Sequence, residues 1–327
     1  MGVTWVSPFF FVFIFMTKKG CLISGGGAWG AYGGGTLARI NRKYDAVVGV
    51  STGSLMAPLT ALREWEVLKH AYTNVDNSKI FDKCWYKGKV INKKGRFRKF
   101  PIIMTLLLGD KSISTSNSLR KTIMSSFSKT KFNRLRTRQQ EILVGTQNLA
   151  QIPSKIHYFS SIDETYEDFI DWMWCSANYP FITSLIKKSW RDEEGKFHIG
   201  QWSDGGISEL VGMDMLVKRG YKDIDIILHR TKVRDKFEGE RIHNLIENFN
   251  ASLSAMRYDV EFEHFYDSIE KYNRKGIKVT VYWLPRKLSE NPMVFNKKEM
   301  AEWWEEGYET ALDPERMEIF NPIKKRF

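Results

Sequence analysis

Residues 45–55 read Asp-Ala-Val-Val-Gly-Val-Ser-Thr-Gly-Ser-Leu. The first half has the composition of a buried strand, and a helical pattern follows over residues 55–70, so Ser51 stands at the apex of a strand–turn–helix unit. The turn is sharp, and side chains at Gly49 and Gly53 would collide with the neighbouring strand and helix. The hydroxyl of Ser51 is then exposed beside the amino end of a helix. We predict that Ser51 is a nucleophile; the alternative is an ordinary strand-to-helix turn.

Composition points to a globular protein with an anionic partner. The 327 residues are 43% hydrophobic and 27% charged, which allows a large core. The 50 basic residues exceed the 38 acidic ones and give a net charge of +12, which favours a phospholipid surface or a nucleic acid. Cys21, Cys84 and Cys175 are too scattered for a disulfide framework, so we expect a reducing compartment, the cytoplasm.

The first 19 residues form an apolar segment ahead of the first predicted strand. Residues 3–16 carry no charge, but they fall short of the roughly 20 apolar residues that span a bilayer. They also lack the basic leader and the cleavage site of a secretory signal. Two hypotheses remain, a shallow membrane anchor or a natural start at Met16, and we favour the second.

A glycine-rich loop follows the first predicted strand, residues 20–24. It reads Gly25-Gly26-Gly27-Ala28-Trp29-Gly30 and leads into a helix. The pattern superficially matches a dinucleotide site, but the acidic partner expected about 20 residues later would be Asp45, which begins a strand instead of ending one. We interpret the loop, from Gly25 to Gly30, as an oxyanion hole in which the amides of Gly26 and Gly27 stabilise developing negative charge.

Two residues are candidates for the base that a serine nucleophile needs. His229 ends an apolar strand, and histidine has the pKa best suited to the task. Asp204 lies in Asp204-Gly205-Gly206 after another strand, where the two glycines give a carboxylate room to approach a neighbouring group. The residues alone do not decide between the two.

The organisation beyond these motifs is predicted as one catalytic domain with two additions. Strands and helices alternate over residues 20–285, with a long helix predicted over 241–273 and the last strand over 277–284, and this alternation predicts a mainly parallel sheet covered by helices. An insertion at about 78–112 joins a basic run to an apolar run, which suits either a membrane-contacting segment or a solvated loop followed by a core helix. The C-terminal extension, 286–327, contains an acidic amphipathic helix.

The three motifs, taken in order, closely resemble those of the patatin-like phospholipases. Weaker similarities are Thr115–Arg120, which resembles the approach to the family's middle helix, and Trp174–Pro180, which resembles its Ala-Ser-x-x-x-Pro stretch. The resemblance covers about residues 20–285. It implies a three-layer α/β/α fold and lipid acyl hydrolysis by a dyad of Ser51 and Asp204, without histidine. It also implies a glycine-loop oxyanion hole and no metal or organic cofactor.

The chain departs from the family pattern at two places near the loop. Trp29 stands where the family usually has Arg or Lys, and Gly33-Gly34-Gly35 should weaken the following helix by about 1 kcal/mol per glycine relative to alanine. Two other hypotheses therefore stay open: a hydrolase that uses His229, or a membrane- or partner-binding protein with little turnover. The expected partners are a lipid ester and an anionic membrane surface, which the protein would bind peripherally; nucleic acid is not expected.

Overall fold

The computed structural model describes residues 18–82, 98–153, 155–180, 182–192, 194–207, 212–232, 265–289 and 291–322. The apolar segment at the N-terminus, the basic run of the insertion and most of the helix predicted over 241–273 lie outside the described residues. No helix in the described ranges is both long enough and apolar enough to cross a membrane.

The described strands form one mixed sheet. Its order is β5-β6-β3-β2-β1-β7-β8-β9, and β4 pairs separately with β3. The pairs β1–β2, β1–β7, β2–β3 and β7–β8 are parallel, whereas β3–β4, β3–β6, β5–β6 and β8–β9 are antiparallel. The predicted α/β class is confirmed, but the sheet is mixed, with parallel strands at its centre. The strands are β1 Lys19–Ile23, β2 Ala46–Val50, β3 Glu141–Asn148, β4 Ile156–Ser160, β5 Ile186–Arg191, β6 Phe197–Asp204, β7 Asp223–Thr231, β8 Lys278–Leu284 and β9 Met317–Phe320.

Helices cover both faces of the sheet, because successive strand residues point to opposite sides. In β1, Cys21 and Ile23 belong to a core shared with α1, α2, α3, α6, α7, α8 and α11, and Leu22 belongs to a core shared with α9 and α10. The described helices are α1 Gly30–Ile40, α2 Thr52–Leu62, α3 Trp65–Thr73, α4 Asn77–Ile80, α5 Lys99–Leu108, α6 Asn117–Ser126, α7 Lys129–Thr137, α8 Tyr166–Ser176, α9 Met213–Lys218, α10 with described residues 265–273, and α11 Lys297–Thr310.

The three consecutive glycines of α1 form a packing surface. A methyl group on Gly34 would lie 2.3 Å from the indole ring of Trp304, and one on Gly35 would lie 2.0 Å from the carbonyl oxygen of the same residue. Helix α11 therefore approaches the backbone of α1 more closely than any larger side chain would allow. The predicted amphipathic helix is confirmed, with Met300, Trp303 and Trp304 buried.

Four described elements were not predicted: α4, α7, β5 and β9. The strand over Ile277–Leu284 was predicted to be the last, but β9 follows it and pairs with it in antiparallel fashion. Strand β5 carries Lys188 on its inner face, where the ammonium group lies 2.6 Å from Asp168 and above the ring of Trp172. A charged residue at an inward position hides the alternating pattern by which strands are recognised.

The packing of α1 predicts the effect of Gly35→Ala on stability. Helix propensity alone would stabilise the variant by about 1 kcal/mol. The clash with the backbone of α11 should instead lower the free energy of unfolding by about 1–3 kcal/mol. Urea denaturation of the two proteins measures the sign, and a more stable variant would show that α11 does not contact α1 at this position.

Candidate active site

Ser51 lies in a strained turn between β2 and α2. Its φ of 55° and ψ of −127° are costly for a residue with a side chain, on the order of 1–3 kcal/mol. A methyl group on Gly49 would lie 2.3 Å from the carbonyl oxygen of Gly53, and one on Gly53 would lie 2.1 Å from that of Ile23. The strand–turn–helix unit predicted from the sequence is thus present, and the two glycines let the backbones approach closely.

The backbone of Ser51 is fixed by hydrogen bonds on both sides. Its amide donates to the hydroxyl of Ser176 at 2.9 Å, and that hydroxyl donates to the carbonyl of Gly145 at 2.6 Å. Its carbonyl accepts from the amide and the hydroxyl of Ser54. Ser176 was not predicted as a site residue, although it lies within the Trp174–Pro180 stretch, because a serine at a helix end gives no local sign of this contact.

Pairing along β3 brings Asp204 to Ser51. Thr146 pairs with both β4 and β6, and Gly145 pairs with both β4 and β2. Because β4 lies on one side of both residues, β2 and β6 must both lie on the other side, along the same edge of β3. The last pair of β2 joins Val50 to Gly145, and the last pair of β6 joins Asp204 to Thr146. The two strands run in opposite directions, and their carboxyl ends meet at adjacent residues of β3.

The side chains of Ser51 and Asp204 are hydrogen-bonded. Oγ of Ser51 donates to Oδ2 of Asp204 at 2.5 Å, and the two residues are 7% and 4% exposed. The other carboxylate oxygen, Oδ1, accepts from the amide of Gly206 at 2.8 Å, and a methyl group on Gly205 would lie 2.5 Å from the carbonyl oxygen of Gly145. These contacts orient the carboxylate, so that one oxygen faces the serine hydroxyl.

The glycine loop lies beside Ser51. A methyl group on Gly25 would lie 3.0 Å from Cβ of Ser51, and one on Gly26 would lie 2.3 Å from Cβ of His229. Gly27 has a φ of +53°, which favours glycine, and begins the 3₁₀ turn Gly27–Trp29. The amide of Gly30 donates to carbonyls of that turn, so it is not free to bind an oxyanion, and a methyl group there would meet Tyr72 and Thr52.

His229 packs against the glycine loop at Gly26. It is 1% exposed, its amide donates to the hydroxyl of Ser24 at 2.9 Å, and its Nδ1 lies 2.9 Å from the carbonyl oxygen of Ser24. Its Nε2 faces Gly33. Burial lowers the pKa of His229 to about 4, so the ring is neutral at physiological pH. These contacts are those of a structural residue.

An apolar pocket opens from the Ser51–Asp204 pair. It encloses about 850 Å³, including open solvent at its mouth. Both residues of the pair line it, and among the lining residues in the described part of the chain Asp204 is the only charged one. The walls come from α2, α3, α4, α6 and α8 and from residues 291–295, including Leu55, Tyr72, Phe81, Ile123, Met293 and Phe295.

A comparison with protein families identifies the family of this chain. A family model described as patatin-like phospholipase matches residues 22–217, which is more than half of the chain. This chain belongs to the patatin-like phospholipases. The family assignment indicates a lipid acyl hydrolase. The match includes the strand–turn–helix unit at Ser51, the glycine loop and the Asp204 motif, and it ends before His229 and residues 291–295.

Solved structures show a more distant similarity to this chain. The crystal structure of VipD from Legionella pneumophila is similar over 93% of this chain and 68% of that chain, with 15% identity and a TM-score of 0.42. No curated protein matches the chain.

The buried histidine predicts a pH dependence of stability. Between about pH 6.5 and pH 4 the unfolded chain binds a proton that folded His229 excludes, so stability falls as the pH falls through this window. The loss from this group should reach about 2 kcal/mol at about pH 5. Urea unfolding of the wild type and of His229→Gln measures it: the variant should lose less stability on acidification, and equal losses would contradict a buried neutral ring.

Proposed function

We propose that the protein is a serine lipid acyl hydrolase that cleaves carboxylic esters of phospholipids or related lipids. Ser51 is the nucleophile and Asp204 is the base. The observation that carries the proposal is the 2.5 Å hydrogen bond from the Ser51 hydroxyl to the Asp204 carboxylate at the end of an apolar pocket. A fatty acyl chain in the pocket would bring its ester carbonyl to the serine.

The proposed reaction has two stages. Oγ of Ser51 attacks the ester carbonyl while its proton passes to Asp204, and the amides of Gly26 and Gly27 stabilise the oxyanion. One such donor has been worth about 3–4 kcal/mol where it has been measured. The alcohol leaves with the proton from Asp204. A water molecule then attacks the acyl-Ser51 ester while its proton passes to Asp204, and Asp204 returns this proton to Oγ of Ser51 as the bond to the acyl group breaks and the fatty acid leaves.

The geometry favours Asp204 over His229 as the base. The hydroxyl of Ser51 donates to Asp204, whereas the Nδ1 of His229 is occupied by Ser24 and its pKa is too low for a base that works near neutral pH. The departures from the family pattern at Trp29 and in the glycines of α1, which raised the hypothesis of a binding protein with little turnover, also have structural explanations. Trp29 donates to the hydroxyl of Ser289 at 2.9 Å, and the three glycines of α1 admit α11 and His229.

We also propose that the protein takes its substrate from an anionic lipid surface through α5. The insertion leaves and rejoins the fold beside the pocket, since the amide of Asp82 donates to the carbonyl of Thr115 at 2.9 Å and its neighbour Phe81 lines the pocket. Helix α5 exposes Phe100, Ile103, Leu107 and Leu108, and the sequence before it carries a run of lysine and arginine. Apolar residues beside basic ones are typical of interfacial helices.

The dyad predicts that Ser51→Ala and Asp204→Asn each lower ester hydrolysis by about 10⁴-fold or more. The first removes the nucleophile, and the second keeps the shape of the side chain but cannot accept the proton. Hydrolysis of para-nitrophenyl esters measures the loss, and a fluorophosphonate probe should label the wild type at Ser51. His229→Gln is the comparison and should lose far less activity, because it alters a support of the glycine loop and leaves both members of the dyad in place. Loss in that variant with Asp204→Asn active would make His229 the base, and a wild type that hydrolyses no lipid ester would favour a binding protein.

The proposed membrane contact through α5 predicts that binding to phosphatidylglycerol vesicles weakens as the salt concentration rises from about 0.1 M to about 1 M. Salt screens the attraction between the basic residues and the anionic lipid. In a Ser51→Ala background, which prevents turnover, Leu107→Asp should weaken binding about tenfold further. Ile199→Asp is the matched control, since Ile199 is 77% exposed and Leu107 is 74% exposed. Salt-independent binding would rule out the electrostatic attraction, and equal effects of the two substitutions would rule out α5 as the membrane contact.

A further inference from the structure

Residues 291–295 cross from the glycine loop to α4, and they lie outside the part of the chain that the family model matches. We call this segment the strap. The carbonyl of Pro292 accepts from the amide of Ala28 at 2.8 Å, and the amide of Phe295 donates to the side-chain oxygen of Asn77 at 3.0 Å. The strap is therefore attached to both sides of the pocket.

Internal hydrogen bonds fix the shape of the strap. The side-chain oxygen of Asn291 accepts from the amide of Met293 at 2.9 Å, and its carbonyl accepts from the amide of Val294 at 3.1 Å. Just before the strap, Ser289 accepts from the indole of Trp29 at 2.9 Å. Side chains on this segment thus have a defined position relative to Ser51.

Two strap side chains, Met293 and Phe295, form part of the pocket wall. A methyl group on Gly27 would lie 2.3 Å from the carbonyl oxygen of Pro292 and 3.3 Å from Cε of Met293, so Met293 lies directly against the loop beside the nucleophile. Phe295 meets the ring of Phe81 edge-on, with centroids 6.5 Å apart. Val294 packs against the core and does not line the pocket within the described residues.

We infer that the strap determines which acyl chains the enzyme accepts, with Met293 as the main residue that sets the space available beside Ser51. The inference rests on the proposed hydrolysis at Ser51. An apolar wall of fixed position discriminates between chains by contact and by volume, and one methylene group in such a pocket changes kcat/KM by about tenfold or more. The ligand of this wall is a linear fatty acyl group.

The test is the chain-length profile of kcat/KM over para-nitrophenyl esters from butyrate to palmitate. Met293→Ala opens the wall and should raise the ratio of long-chain to short-chain kcat/KM by about tenfold. Met293→Trp fills the space and should move the preference toward shorter esters. Val294→Ala, a loss of side chain on the same strap, is the control and should keep the wild-type profile. Thermal melting by circular dichroism confirms that each variant folds.

The outcomes separate this inference from the proposed function. A wild type that cleaves none of the esters would end the proposed function itself. An active wild type whose profile is unchanged in both Met293 variants would overturn the role of the strap and leave the dyad in place. Equal loss at every chain length in Met293→Ala would likewise overturn it, since that result would assign Met293 to support of the glycine loop.

Discussion

The shared edge of β3 is the constraint on which the site depends. Strand β2 runs parallel to β3 and ends at Val50, while β6 runs antiparallel and ends at Asp204, and both ends pair with adjacent residues of β3. Two strands that meet carboxyl end to carboxyl end bring together Ser51 and Asp204, which lie 153 residues apart in the chain. In a purely parallel sheet the carboxyl end of β6 could not lie at this point, so the site depends on the mixed pairing of the strands.

The glycine loop is a second point where backbone geometry determines chemistry. Gly25, Gly26 and Gly27 lie against three different neighbours, which are Ser51, His229 and Pro292 respectively. The contacts of Gly26 and Gly27 are closer than a side chain would allow, and that of Gly25 is tight, so the loop is confined by three separate parts of the chain. His229 then has a clear role as a buried neutral support, although its pKa in water makes histidine an attractive base when only the sequence is considered.

The sequence predicts those parts of the structure that have local signals. Glycines around Ser51, the loop before α1 and the glycines after Asp204 each mark a place where the backbone must turn or approach closely, and the motifs carry the family resemblance. The three glycines of α1 were interpreted through helix propensity, which is a local quantity, whereas contacts with distant residues explain them: His229 lies against Gly33, and Trp304 lies against Gly34 and Gly35. Strand β5 was not predicted because an inward lysine interrupts its alternating pattern. The strap was not predicted because its position depends on contacts with distant loops, which leave no periodic pattern in the sequence.

The distribution of charge places recognition of the acyl chain and of the headgroup at different parts of the proposed enzyme. Of the residues described along the pocket, only Asp204 is charged, so a phosphate group inside would find no positive partner and would lose its hydration beside a carboxylate. The polar headgroup of a phospholipid is therefore better placed outside, where the excess of 50 basic over 38 acidic residues favours an anionic surface. Selection among lipids would then have two independent sources: acyl-chain fit inside the pocket, and electrostatic attraction of the membrane outside it. Substitutions in the pocket wall should change the first without altering the salt dependence of the second, because the two act on different parts of the same lipid.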